Sequence, residues 1–240
     1  MRKILIPMVI LSLVLGVFAQ ENPLKRADEL VANRENPQQV LQAMEILKKE
    51  MATHPYEAGW RYLKAAYYFG KKCKDKNRKI KVYQEAIKIG EDLVKKYPDK
   101  VEGHFWLGVV YGVYGEARGV MKSLFLVKPI KRQMKEVLRL DPQYNCGGAQ
   151  RVLGRLYYKV PGLFGGSKTK SLEYLRESKK ICPNSLLTRI YLAETLIAKG
   201  KKKEAKAELE EALTLEPVPT EKPEEEQYKA QIKELLSKLR

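Results

Sequence analysis

The chain offers few side chains that could carry out catalysis or hold a metal ion. It has two histidines, His54 in a turn before a proline and His104 near the start of a helix. Neither has a cysteine, histidine or aspartate at the spacing of a metal site. No serine lies in a nucleophile elbow, and no pair of carboxylates stands out. The sequence therefore predicts a protein that is not an enzyme and that uses no metal or cofactor.

The segment from Gly162 to Thr169, GLFGGSKT, is superficially similar to a phosphate-binding loop. Ser167 stands where that loop requires its second glycine, and no strand precedes the segment. Pro161 together with glycines at 162, 165 and 166 makes a breaker-dense segment that ends the preceding helix, whereas a serine suits the N-cap of the next one. We interpret Gly162, Gly165, Gly166 and Ser167 as a structural turn with an N-cap. An anion held by backbone N–H groups at the helix start is the alternative.

Three cysteines are present, and two of them flank a predicted pair of helices. Cys146 precedes the first helix and Cys182 ends the second, so an antiparallel arrangement brings them together. A Cys146–Cys182 disulfide is one possibility. Two unbridged thiols are the other, because helix-to-helix distances often exceed the reach of a disulfide. Cys73 lies in a lysine-rich connector and is predicted to be a free thiol.

The N-terminus has the layout of a secretory signal peptide. Arg2 and Lys3 precede an apolar run from Ile4 to Phe18, and the small residue Ala19 follows. Cleavage after Ala19 would yield a periplasmic or otherwise exported chain. An uncleaved membrane anchor is the alternative, although the run is short for a span. No cysteine follows the run, which argues against a lipoprotein.

The chain is strongly basic, with a formal net charge of +17. Such an excess suits nucleic acid or an anionic membrane surface. Export argues against nucleic acid, so no nucleic-acid partner is expected. The lysines concentrate at 71–81, at 199–203 and along helix faces, where glutamates interrupt them. That pattern is typical of a solvated helix surface.

Apolar residues recur at helical spacing after residue 20, and strand patterns are absent. The segment Gly147–Pro183 reads as a helix, a glycine-rich turn and an antiparallel helix, and similar units recur along the chain. The last unit, Leu186–Pro217, fits a tetratricopeptide (TPR) repeat of ~34 residues. One such pair cannot bury its own apolar face, so the units must stack. We predict an all-α fold: a TPR-like helical-hairpin solenoid with a C-terminal capping helix.

The predicted organisation has four parts. These are a signal peptide over 1–19, an N-terminal helical hairpin over 20–56, a TPR-like repeat domain over 57–217, and a linker with the capping helix over 218–240. A second glycine-bearing loop is predicted at Gly112–Gly119, with a role in packing.

In a TPR stack the first helix of each pair lines a concave groove. Alignment of the repeats predicts the following groove residues: Arg61, Tyr68, Phe105, Val109, Arg151, Arg155, Tyr158, Lys159 and Glu194. Arginines beside tyrosines favour carboxylate-bearing or extended peptide partners, because guanidinium groups pair bidentately and aromatic rings add contact area. That these are ordinary helix-surface residues remains the alternative.

Three motifs carry a resemblance to known proteins: Gly147-Gly148-Ala149, Leu153-Gly154-Arg155, and Pro161-Gly162 through Ser167. With them, residues from about 60 to 212 resemble the T-component family of TRAP transporters, the TatT-like periplasmic TPR proteins. More distantly they resemble the eukaryotic regulator of microtubule dynamics family.

The T-component resemblance implies an all-helical periplasmic protein, often oligomeric, that docks the solute-binding subunit of a sodium-driven carboxylate importer. It also implies a possible small hydrophobic ligand in a pore or groove. The alternative function is a structural scaffold for cell-envelope assembly that binds a peptide partner.

Overall fold

The computed structural model describes residues 22–239. The predicted signal peptide and its cleavage site after Ala19 lie outside the described residues. Eleven α-helices occur in the described part, and no strand does. Their bounds are α1 Pro23–Ala32, α2 Pro37–Glu50, α3 Pro55–Lys72, α4 Lys76–Lys96, α5 Val101–Arg118, α6 Val127–Leu140, α7 Tyr144–Lys159, α8 Lys168–Ile181, α9 Leu186–Ala198, α10 Lys202–Thr214 and α11 Glu225–Ser237.

The described residues also include three short 3-10 helices: Met121–Leu126, Gly162–Phe164 and Pro219–Glu224. Consecutive α-helices pack as hairpins, and α3, α5, α7 and α9 pack against one another in that order. This arrangement confirms the predicted TPR-like solenoid.

Helix starts follow local chemistry. The Asp75 side chain accepts hydrogen bonds from the first turn of α4, and Ser185 does the same for α9. Prolines occupy the first position of α1, α2 and α3, where their missing N–H has no helical partner in any case. These signals lie within a few residues of each boundary, so they can be read without knowledge of the fold.

Glycines let the helices approach closely. A Cβ on Gly154 of α7 would lie 2.5 Å from Leu175 Cγ of α8. A Cβ on Gly90 of α4 would lie 2.8 Å from Leu63 Cδ2 and 2.9 Å from Leu107 Cδ1. A larger residue at Gly154 would also lie 3.2 Å from the Ser171 carbonyl oxygen and would crowd α8, whereas at Gly90 the ends of the two leucine side chains would have to shift.

The core has two parts. The larger extends from α1 to α7, with Phe105 and Tyr83 among its fully buried side chains. The smaller joins α8, α9, α10 and α11 and includes Tyr228 and Ile232 of the last helix. Within residues 22–239, no helix has both the length and the apolar character needed to cross a membrane.

Two loop predictions are wrong. Helix α5 continues to Arg118, so the predicted loop Gly112–Gly119 is helical except at its last residue, where φ is +97°. The buried side chains of Val110 and Tyr114 keep this stretch helical in spite of its glycines. Likewise, most of the lysine-rich stretch around Cys73 is helical, and the connector between α3 and α4 is only the three residues 73–75.

Candidate functional site: a cavity in the concave groove

The concave face of the solenoid encloses a cavity of about 460 Å³. Helices α3, α5, α7 and α9 supply much of the lining, and residues of α4, of the stretch 120–130 and of the C-terminal segment (Thr220, Glu221 and Glu224) complete it. The volume lies in the range of small-molecule pockets. Aromatic and aliphatic side chains dominate the lining: Tyr67, Tyr68, Phe105, Trp106, Val109, Val113, Leu156, Leu187, Tyr191 and Tyr228.

The aromatic rings contact one another at favourable geometry. The ring centroids of Tyr67 and Tyr68 are 4.9 Å apart, and that of Trp106 lies 5.9 Å from Tyr67. Burial raises the pKa of Tyr67 and of Tyr191 to about 12. Both phenols are therefore neutral at physiological pH and can donate or accept a hydrogen bond.

Five basic and three acidic side chains also line the cavity. The basic ones are Lys71, Lys79, Arg151, Arg155 and Lys159, and the acidic ones are Glu116, Glu221 and Glu224.

Arg155 binds the Glu194 carboxylate, and its guanidinium lies 4.2 Å from the ring centroid of Tyr191. Arg151 donates to the carbonyl oxygens of Asn145, at 3.3 Å, and Cys146, at 3.2 Å. Both guanidinium groups are thus oriented by protein contacts.

The first turn of α7 has an unusual backbone that positions these carbonyls. Asn145, Cys146 and Gly147 have φ values of +48°, +63° and +65°. Such angles are costly for residues other than glycine. The Cys146–Cys182 disulfide, with Cα atoms 5.3 Å apart, and the hydrogen bond of 3.0 Å from Ser178 Oγ to the Gly147 carbonyl hold the turn against α8.

The C-terminal segment is anchored across the groove by a buried ion pair. Arg34, in the turn after α1, donates through Nε and Nη2 to the two carboxylate oxygens of Glu224, at 2.6 and 2.7 Å. Arg34 Nη2 also donates to the Thr220 carbonyl at 2.6 Å, and its guanidinium lies 4.2 Å from the Tyr68 ring centroid. Both charged side chains are only 7% exposed. The first hairpin and the last segment are thereby joined.

A second carboxylate from the same segment caps α9. Glu221 accepts hydrogen bonds from the Ser185 hydroxyl at 2.6 Å and from the backbone N–H of Leu186 at 2.7 Å. A negative charge at a helix N-terminus is favourable. The segment therefore contributes to the structure at two points of the groove.

The structure brings six of the nine predicted groove residues to the cavity: Tyr68, Phe105, Val109, Arg151, Arg155 and Lys159. The other three, Arg61, Tyr158 and Glu194, are not part of its lining.

Arg61 binds Asp28 at 2.9 Å and Glu57 at 2.7 Å, both outside the cavity. Tyr158 lies beneath Lys168, whose ammonium is 3.6 Å from its ring centroid. Repeat alignment did not reveal Tyr67, Trp106, Tyr191, Glu224 or Tyr228. For Tyr228, the one available signal was the amphipathic pattern of the last helix, and Glu224 precedes that helix.

The glycine-rich segment between α7 and α8 is a tight turn. Gly165 has φ of +87°, which favours glycine, and Ser167 Oγ accepts a hydrogen bond of 3.2 Å from Lys170 N. Leu163 is 91% exposed at the tip of the turn.

His104 and two of the three cysteines have structural partners. Buried His104 lies 2.6 Å from Gln133 Oε1 and 2.9 Å from the Pro98 carbonyl oxygen. Cys73 is a free, half-buried thiol. In the described range, no group of three or more metal-ligating side chains is placed to hold an ion.

Comparison with solved structures places the fold among TPR proteins. A thermophilic TPR protein of Thermus thermophilus, TTC0263, has a TM-score of 0.65 at 20% identity, covering 91% of this chain and 100% of that one. Yeast Tom70 has a TM-score of 0.52 at 16% identity, covering 88% of this chain and 39% of Tom70. At these identities the likeness establishes the fold alone.

Sequence comparison gives the family. No curated protein matched the chain. Residues 23–164 match the sequence profile described as regulator of microtubule dynamics protein 1-3. This match covers more than half of the chain and confirms the more distant of the two resemblances noted above. The chain therefore belongs to the regulator of microtubule dynamics protein 1-3 family.

Proposed function

We propose that the protein is an exported, non-catalytic interaction protein that holds a small amphipathic carboxylate in its groove while it docks a protein partner. The partner in this proposal is the periplasmic solute-binding subunit of a TRAP-type carboxylate importer. The observation that carries the ligand proposal is the aromatic cavity of about 460 Å³ with two oriented arginines in its wall.

The charges of the cavity favour an anion. Basic side chains outnumber acidic ones in the lining, and two of the three carboxylates already have partners. Glu224 is bound by Arg34, and Glu221 caps α9. Arg155 is likewise paired with Glu194, so the positive charge left for a carboxylate head is that of Arg151 and the three lysines of the lining. Guanidinium and ammonium groups pair with carboxylates through charge-assisted hydrogen bonds. The surrounding rings suit an apolar body.

The TPR-like fold supports a protein partner, since stacked helical hairpins create extended concave binding surfaces. The motifs Leu153-Gly154-Arg155 and Gly162 through Ser167 support the T-component assignment, because they resemble motifs of proteins that work with carboxylate importers.

One observation favours the second candidate, a scaffold that binds a peptide partner. The concave face already holds an acidic peptide, namely the chain's own segment Pro219–Glu224 with its two buried carboxylates. A partner with a similar acidic sequence could use the same contacts.

Decanoate binding tests the ligand proposal. Gly112 lies in the cavity wall, and a Cβ built on it meets no atom within 4 Å. Gly112→Leu should therefore fill the cavity without moving the backbone, and decanoate should bind about tenfold more weakly or worse, as a loss of about 1.4 kcal/mol or more implies. The matched control is Gly162→Leu, at another open glycine that lies outside the cavity. Calorimetry showing no binding to the wild type, or equal binding to both variants, would rule out a cavity ligand.

Affinity capture with the purified chain and periplasmic extract tests the partner. If the wild-type chain captures a solute-binding protein and the Arg155→Ala variant does not, the result supports docking at the groove. Recovery of none contradicts the transport role. Binding of a synthetic peptide with the sequence of residues 217–226 to a chain truncated after residue 216 would instead support the scaffold.

A further inference from the structure

The hairpin topology gathers one set of turns on a single edge of the solenoid. Because α3, α5, α7 and α9 stack in order, the turns that follow them lie side by side. Side chains join neighbouring hairpins at or near these turns: Lys199 Nζ donates to Thr169 Oγ1 at 2.9 Å, and the Lys131 ammonium lies 4.4 Å from the Tyr157 ring centroid. We call this the turn edge, comprising residues 71–79, 116–128, 159–170 and 199–204.

The turn edge is strongly basic. Its residues include 16 lysines and arginines and three acidic residues. The turns on the opposite edge, taken as 50–57, 95–102, 139–145, 179–186 and 213–221, have six basic and seven acidic residues. The net positive charge of the protein is therefore concentrated on one side, a distribution that a uniformly solvated surface does not require.

The same edge carries the large exposed apolar side chains of the described chain. Met121 and Phe125 are each 61% exposed, Leu163 is 91% exposed and Phe164 is 45% exposed. They occupy two neighbouring turns, after α5 and after α7.

The turn after α7 is held firmly. Gly166 N donates to the Pro161 carbonyl at 3.1 Å, and Ser167 N donates to the Tyr157 carbonyl at 2.9 Å. The backbone thus presents Leu163 and Phe164 to solvent and prevents them from folding back onto the core.

We propose that the turn edge docks on the surface of an anionic phospholipid bilayer, with the four apolar side chains in the interface and the surrounding lysines on the headgroups. Charge complementarity and the exposed apolar side chains of the two turns both favour an anionic bilayer. Amphipathic surfaces with lysine beside phenylalanine and leucine bind at the headgroup–acyl boundary, and each lysine near an anionic leaflet adds to the attraction. A bilayer surface accommodates both features at once, because its headgroups match the lysines and its acyl boundary takes up the apolar side chains.

Vesicle flotation of the chain from Gln20 onward, which includes all described residues, tests this proposal. The chain should float with vesicles of phosphatidylcholine and phosphatidylglycerol, and much less with phosphatidylcholine alone. The triple variant Phe125→Ser/Leu163→Ser/Phe164→Ser should bind about tenfold more weakly or worse, because it removes three of the four side chains that enter the interface.

Charge-reversal variants test the role of the lysines. Lys122→Glu/Lys128→Glu on the turn edge should weaken binding by about tenfold or more, since each reversal opposes the surface potential. The matched control, Lys95→Glu/Lys96→Glu, reverses two exposed lysines on the opposite edge and should bind like the wild type. All of these sites are exposed, so circular dichroism should show unchanged helix content.

Three results would overturn the proposal. One is absence of binding to anionic vesicles, and another is equal loss in the opposite-edge control. The third is full binding by the triple variant alongside loss in the turn-edge charge variant, which would identify a purely electrostatic site suited to an acidic macromolecule.

Discussion

Arg34→Ala should be among the most destabilising single substitutions in the protein. The arginine makes three charge-assisted hydrogen bonds of 2.6 to 2.7 Å, two to Glu224 and one to the Thr220 carbonyl. Its truncation leaves the Glu224 carboxylate, 7% exposed, without its counter-ion. Removing one member of a buried ion pair costs about 3–5 kcal/mol, mostly because the remaining charge stays desolvated. We expect a loss of this size in the free energy of unfolding.

Urea unfolding at neutral pH measures the loss, and Lys48→Ala is the matched control. Lys48 also pairs with a glutamate on another helix, Glu85 at 2.5 Å, but its side chain is 64% exposed. Exposed pairs contribute about 0–1 kcal/mol, so the control should lie in that range. The double variant Arg34→Leu/Glu224→Leu should be more stable than Arg34→Ala, because it leaves no unpaired buried charge.

The protein could also relieve the buried charge by releasing its C-terminal segment. In that case the amides of α11 should show reduced protection from hydrogen exchange in Arg34→Ala. The reasoning is refuted if Arg34→Ala costs no more than Lys48→Ala and the exchange of α11 is unchanged.

Three further predictions address other parts of the fold. Cys146→Ser opens a disulfide that closes a loop with a sequence separation of 36 and should cost about 3–4 kcal/mol in urea unfolding; a change below about 1 kcal/mol would contradict it. Gly154→Ala should cost about 1–3 kcal/mol because its Cβ would meet α8, whereas Gly112→Ala, in open space within a helix, should stabilise by about 0.5–1 kcal/mol. The hydrogen bond from Arg189 lowers the pKa of Glu211 in the folded protein. The Arg189–Glu211 pair therefore stabilises the fold fully above the ordinary carboxyl pKa of about 4.3, and this stabilisation disappears as the pH falls through the lowered pKa of the folded state. Glu211→Gln should therefore lower the melting temperature at neutral pH, and the difference from the wild type should shrink as the pH falls through the lowered pKa of Glu211. A difference that stays constant as the pH is lowered would show that the pair is not the cause.

Much of the helical framework was predictable from the sequence. Helix α8 begins directly after Ser167, as the N-cap signal indicated, and α9 and α10 lie within the predicted repeat Leu186–Pro217. Caps, prolines and apolar spacing act within one or two turns of a helix, so they are visible in a linear sequence. The Gly112–Gly119 prediction was wrong because buried contacts of neighbouring α5 residues outweighed the low helix propensity of glycine.

The cavity depended on information that no local pattern contains. Six of the nine residues predicted by repeat alignment line the cavity, because the first helix of each TPR hairpin faces the groove. It could not reveal that Glu224 would meet Arg34, since these residues are 190 positions apart. A contact at that separation depends on the accumulated curvature of all the hairpins between its partners.

The amino-acid sequence by itself therefore determined the helices, their pairing into hairpins and the basic turns, because each follows from neighbours a few residues apart. Only the tertiary structure decided where the C-terminal segment lies and that it encloses a cavity. It also decided that the exposed apolar side chains share one edge with the lysines. The physical reason is that these features arise from the stacking of hairpins, and small angles between successive hairpins set distances that no single hairpin encodes.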